Sequence, residues 1–243
     1  MSTLLKMATL LATAGGLLTA QTARGTIAVP NVTFDYSPID QSFFALAKLP
    51  PDSARIAATM RHLPAWRDSW SRQGPELFRA TVIITHSAFK FSEAKAALIS
   101  CPGYPSTSFP LMINVRLLFD SAGVPVARDT ARFASYLFHE TLHRYISDII
   151  ESRPDSTTPL LRKYAREHPP VLAHLHLYAL MDTVYRQLRR GNNVLQPTGP
   201  TAPTAGGVLG VNDLDRAREI VRAEGVAAFV RELQPTGKTS PND

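Results

Sequence analysis

A chain of 243 residues, 44% of them hydrophobic, carries enough apolar material for one sizeable core. Its formal charge of +6 comes without blocks of like charge and without a basic run interleaved with aromatics, which sets a nucleic-acid groove aside and suits contact with anionic envelope polymers or acidic substrates. The single cysteine, Cys101, excludes an internal disulfide, so stability must come from the packed interior.

In chain order, residues 1–20 have the features of a signal peptide. Lys6 supplies the positive start, residues 7–19 an apolar run, and small residues around Ala20 a cleavage site ahead of Gln21. The run falls short of the roughly 20 residues that span a bilayer. Export to a periplasm or the exterior is therefore expected, without stable membrane insertion. One domain is expected over 21–234, and residues 235–243 read as a frayed tail.

Within the domain, TIAVPNVTFDY has strand character, and Pro38 opens an apolar helix, IDQSFFALAKL. Leu49-Pro50-Pro51-Asp52 ends that helix and caps SARIAATMRHL. A short helix from Pro64 to Gln73 leads into FRATVIITHS, whose β-branched residues predict a buried strand. Ser100–Pro110 reads as loop, with Cys101 a lone thiol in a turn, and LMINVRLLFD as the last strand. From Asp129 onward the pattern is helical, ending in two amphipathic pieces within VNDLDRAREIVRAEGVAAFVREL. Residues 192–210, rich in Pro, Thr and Gly, form a tether or a lid. This order predicts an α+β domain, an N-terminal mixed sheet with helices followed by a helical C-terminal part.

The stretch ARDTARFASYLFHETLHRYISDII has neither Gly nor Pro and is long enough for about six helical turns. Phe138, Leu142, Tyr145, Ile146 and Ile149 share one apolar face, and His139 and His143, four apart, project together at its edge. Two imidazoles so placed can grip one metal ion in a partly buried setting. Glu140 is turned about 100° away from His139, a position suited to handling the metal's water rather than ligating the metal.

At His139-Glu140-Thr141-Leu142-His143 the chain resembles the zincin metallopeptidases. The resemblance implies a catalytic Zn²⁺, a sheet whose edge strand lies above the cleft, and hydrolysis of a peptide or protein substrate. LMINVRLLFD is the expected edge strand. A metzincin would have Gly at 146 and His or Asp at 149; Ile146 and Ile149 exclude that branch. A gluzincin would supply a later Glu. Glu151 is too close along the same helix, Glu167 is followed by a helix-breaking His-Pro-Pro, and Glu224 precedes Gly225 in AEGVAAFV.

The remaining third-ligand candidates lie in PPVLAHLHLYALMDTVYRQLRR, where Leu177, Leu180, Met181, Val184 and Leu188 form the apolar seam. His174 lies about 60° from that seam and His176 about 100° away on the other side. His174 is the expected third ligand, with His176 and Glu224 as alternates. Tyr178, one turn after His174, is a candidate oxyanion donor or a core residue. The sequence thus predicts an exported zinc-dependent peptidase with Glu140 as general base. The alternative is a non-catalytic envelope module, binding or structural, that retains the fold.

Overall fold

The polypeptide organises itself around a small four-stranded sheet. In a computed structural model of the chain, the described residues are 27–37, 39–46, 48, 52–102, 104–120, 123–126, 129–153, 158–188 and 211–235. The expected signal peptide, the 192–210 segment and all of the tail beyond residue 235 lie outside them. The strands are β1 (Asn31–Tyr36), β2 (Glu93–Ile99), β3 (Thr107–Ser108) and β4 (Leu111–Asn114), in the spatial order β1-β2-β4-β3. β1 pairs with β2 and β2 with β4 in parallel, while β3 pairs antiparallel with β4, Ser108 opposite Leu111. Val32 and Phe34 point inward from β1 while Asn31 and Thr33 face solvent, the period of two that a half-buried strand requires.

The helices are α1 (Ile39–Leu46), α2 (Ser53–Thr85), α3 (Asp129–Ile150), α4 (Pro159–Lys163), α5 (Pro169–Gln187), α6 (Val211–Glu224) and α7 (Val226–Glu232). The α+β class is as expected. Among the described residues no helix is long and apolar enough to cross a membrane.

Three elements differ from the sequence reading. FRATVIITHS is not a strand: it is the last part of α2, which runs for 33 residues through Pro64 and Pro75. Each internal proline forfeits a helical hydrogen bond at a cost of about 3 kcal/mol or more. Trp66, Trp70, Leu77 and Phe78, all buried on this helix, each return about 1.5–3 kcal/mol, so burial outweighs the two breaks. The hydroxyls of Thr81 and Thr85 donate to the carbonyls of Leu77 and Thr81, which keeps both threonines satisfied in a helix. The strand that the sheet needs is instead the alanine-rich β2, whose Ala96 is fully buried.

LMINVRLLFD is a strand only over Leu111–Asn114 and then turns into a 3-10 helix at Val115–Leu118. Asn114 causes the turn, its side-chain oxygen accepting from the Arg116 amide at 3.0 Å. Nor is this segment the sheet edge. That place belongs to β3, inside the stretch expected to be wholly loop. Cys101 lies within that stretch, outside any strand, and is fully buried.

The main core joins α2, α3 and the sheet: the Trp66 and Phe133 rings stack at 4.8 Å, and Phe34 lies 4.6 Å from Phe133. Helix α5 is apolar on two sides. Leu177, Leu180, Met181 and Val184 enter this core, while Val171, Leu175, Tyr178 and Ala179 pack with Ala217, Ile220, Val221, Phe229 and Val230 of α6 and α7. Being clamped from both sides fixes the rotation of α5 about its axis.

Gly74 is a tight point in this packing. A Cβ there would stand 2.8 Å from Cε2 of Trp70, whose indole N–H donates to the Val32 carbonyl at 2.8 Å and cannot move freely. Alanine gains about 1 kcal/mol of helix propensity, against an overpacking cost of about 1–3 kcal/mol. Gly74→Ala is therefore expected to lower stability by about 1 kcal/mol in urea denaturation; a stabilised variant would show that Trp70 relaxes at no cost.

Candidate metal centre

Helix α3 presents its apolar face as expected, with Phe138, Leu142, Tyr145, Ile146 and Ile149 all buried. This sets His139 and His143 side by side at the rim, their Nε2 atoms 3.2 Å apart. Helix α5 starts at Pro169 and Pro170, whose fixed backbone suits the first turn and whose missing amide protons are not needed there. One turn on, His174 faces the α3 pair, its ring centre 4.8 Å from His143 and 5.3 Å from His139. One ligand atom from each of the three rings falls within 4.8 Å of the others, so His139, His143 and His174 could hold a metal ion.

His174 is oriented by its own helix. Its Nδ1 lies 2.7 Å from the Pro170 carbonyl, which can only accept, so Nδ1 carries the proton and Nε2 keeps its lone pair. Such a carbonyl contact is the usual means of fixing the tautomer of a metal-binding imidazole. Burial pushes all three imidazole pKa values down, His143 to about 3 and His139 well below its ordinary value; neighbouring imidazoles add to the effect at His139 and His143, whereas at His174 the Pro170 hydrogen bond opposes it. All three are therefore neutral near pH 7, the protonation state that ligation requires.

Glu140 points towards the same space. Its Oε1 is 3.9 Å from His139 Nε2, and its Oε2 accepts from the Ser108 hydroxyl at 2.8 Å. Burial raises its pKa to about 7, against the opposing hydrogen bond from Ser108. The side chains enclose a cavity of about 330 Å³ between α3, α5 and the segment Ser106–Phe109. Asn114 ties that segment down: its backbone N–H donates to Ser106 Oγ at 3.0 Å, and its side-chain NH₂ donates to the carbonyls of Cys101 and Tyr104.

The alternates point elsewhere. His176 is buried on another side of α5, its Nε2 2.8 Å from Glu232 Oε2, and Glu232 also accepts from the Leu160 amide. Glu224 pairs with Lys163 and Tyr164, each at 2.5 Å. Glu167 binds Arg216 at 2.7 Å. Tyr178 is buried, its ring centre 5.2 Å from that of His174, with the Arg218 guanidinium 4.7 Å above its face. Ser108 was not anticipated from the sequence. It lies 32 residues before its partner Glu140, on a two-residue strand with no local signature.

Burying neutral histidines makes the metal-free protein sensitive to acid. Their folded pKa values lie below the ordinary 6.5, so the unfolded chain binds more protons as pH falls below about 6.5 and stability is lost. Glu140, raised to about 7, opposes one of them, because the folded state holds its proton first. In chelator-treated protein, His143→Gln is expected to flatten the decline between pH 6.5 and 5 by about 1 kcal/mol per pH unit. Urea titrations at several pH values would show it; an unchanged slope would mean that His143 is not buried neutral.

Comparison of the chain with protein-family models, with curated proteins and with solved structures found no match in any of the three. The functional reading therefore stands on the site itself.

Proposed function

We propose that the chain is a zinc-dependent hydrolase of the zincin type that cleaves peptide bonds, and that residues 1–20 direct its export. The observation that carries the reading is the convergence of His139, His143 and His174 beside Glu140, beneath the edge strand β3. Two nitrogen ligands about 2.0–2.1 Å from a tetrahedral ion stand about 3.3 Å apart. The 3.2 Å separation of His139 Nε2 and His143 Nε2 matches that spacing. An all-imidazole set suits zinc better than calcium or magnesium, which prefer oxygen.

The three histidines would hold the ion and leave a fourth position open. The chemistry that zinc supplies at such a site is the acidification of water to a pKa of about 7 and the polarisation of a carbonyl. Glu140 handles the proton. Ser108 occupies Oε2, so Oε1, the oxygen closer to His139, is the atom that takes the proton from the attacking water and passes it to the leaving amine. Ser108 also fixes the rotamer of Glu140, which keeps its free oxygen aimed into the cleft.

Purified protein is expected to contain one zinc per chain. His139→Ala, His143→Ala and His174→Ala should each lose it, whereas His176→Ala and Glu224→Ala should keep it. Glu140→Gln should retain zinc and lose activity on a peptide library by about 10²-fold or more. Zinc loss in Glu140→Gln would contradict the division of roles. Full activity in that variant would remove the hydrolase reading and favour a non-catalytic metal module.

A further inference from the structure

A second cavity, of about 340 Å³, adjoins the metal cleft, and His143 and Ser147 line both. Its walls are Ile146 and Ile150 of α3, Leu161 and Ala165 from α4 and the turn after it, and Leu172 and Ala173 of α5. Among the described residues no Asp, Glu, Lys or Arg lines it. His176 is one polar exception, and its Nε2 is already engaged by Glu232. A charged group entering this space would lose water without gaining a charged partner, whereas an apolar group gains by leaving water. The volume lies at the lower end of the range of about 300–1,000 Å³ typical of small-molecule sites.

We propose that this cavity receives an aromatic or long aliphatic side chain of the substrate, next to the bond that is cleaved. The inference rests on the hydrolase reading and adds the substrate class. The placement follows from the shared wall: a chain whose carbonyl sits at His139, His143 and His174 reaches the apolar cavity by passing Ser147, one turn beyond His143. Ala165 and Ala173 determine the room available, because larger side chains at either position would project into it. Both are exposed, so enlarging them leaves the core intact.

The test measures binding to the zinc-loaded protein by calorimetry, with acetohydroxamic acid and N-hydroxy-4-phenylbutanamide as probes. The two share a metal-binding head, and the second adds a phenyl group on a short tether. The phenyl compound is expected to bind at least about tenfold more tightly, the lower end of what one well-placed apolar contact discriminates. In Ala165→Trp and Ala173→Trp that advantage should shrink to about twofold or less while acetohydroxamate binds as before. Peptide-library cleavage should shift in parallel, away from bulky apolar residues at the corresponding position. Equal affinities in the wild type, or an advantage that survives in both variants, would overturn the cavity assignment and leave the metal site standing. A protein that holds no zinc and binds neither probe would overturn the hydrolase reading, and the inference with it.

Discussion

Three imidazoles must be held close together, buried and uncharged, and most of the fold can be understood as meeting that demand. Water competes for both metal and protons, so the rings need a partly dry setting; neutral rings still need partners, or their burial is too costly. The α3 pair is solved locally, since two residues four apart on a helix share a face. The third ring is the harder problem, because it comes from another helix. Here α5 is clamped between two apolar clusters, and the Pro170 carbonyl sets the tautomer of His174. Rotating α5 to present His176 instead would pull both flanks out of register and break the buried His176–Glu232 pair.

The other side of the cleft is built by different means. Helices carry the histidines, whereas the partner of Glu140 comes from a two-residue edge strand, which has little stability of its own. Asn114 compensates by gathering the preceding loop through its backbone and side-chain N–H groups. Rigid elements thus fix the positions of the three imidazoles, and a tethered loop fixes the Glu140 carboxylate. The apolar cavity beyond Ser147 lies on the rigid side, between α3, α4 and α5.

The parts of this arrangement legible in the sequence were those governed by helical periodicity. The α3 face, the His139/His143 pair and the side of α5 on which His174 lies all follow from 100° steps along uninterrupted stretches. Where tertiary packing overrode local preference, the sequence misled. Pro64 reads as the start of a separate short helix ending at Gln73, yet α2 passes through Pro64 and Pro75 because its tryptophans and Phe78 are buried on one core. The β-branched residues of FRATVIITHS suggested a strand, while the alanine-rich β2, with Ala96 fully buried, takes an interior place in the sheet. The contact between Ser108 and Glu140 had no sequence signal, because it depends on how a loop folds back over 32 residues.

The central claim is that α3 and α5 share one zinc ion through three imidazoles. X-ray absorption at the zinc edge of the purified protein tests it most directly. The account predicts three imidazole nitrogens at about 2.0–2.1 Å and one further light-atom ligand. A spectrum with two imidazoles, or with a protein carboxylate in the place of His174, would contradict it.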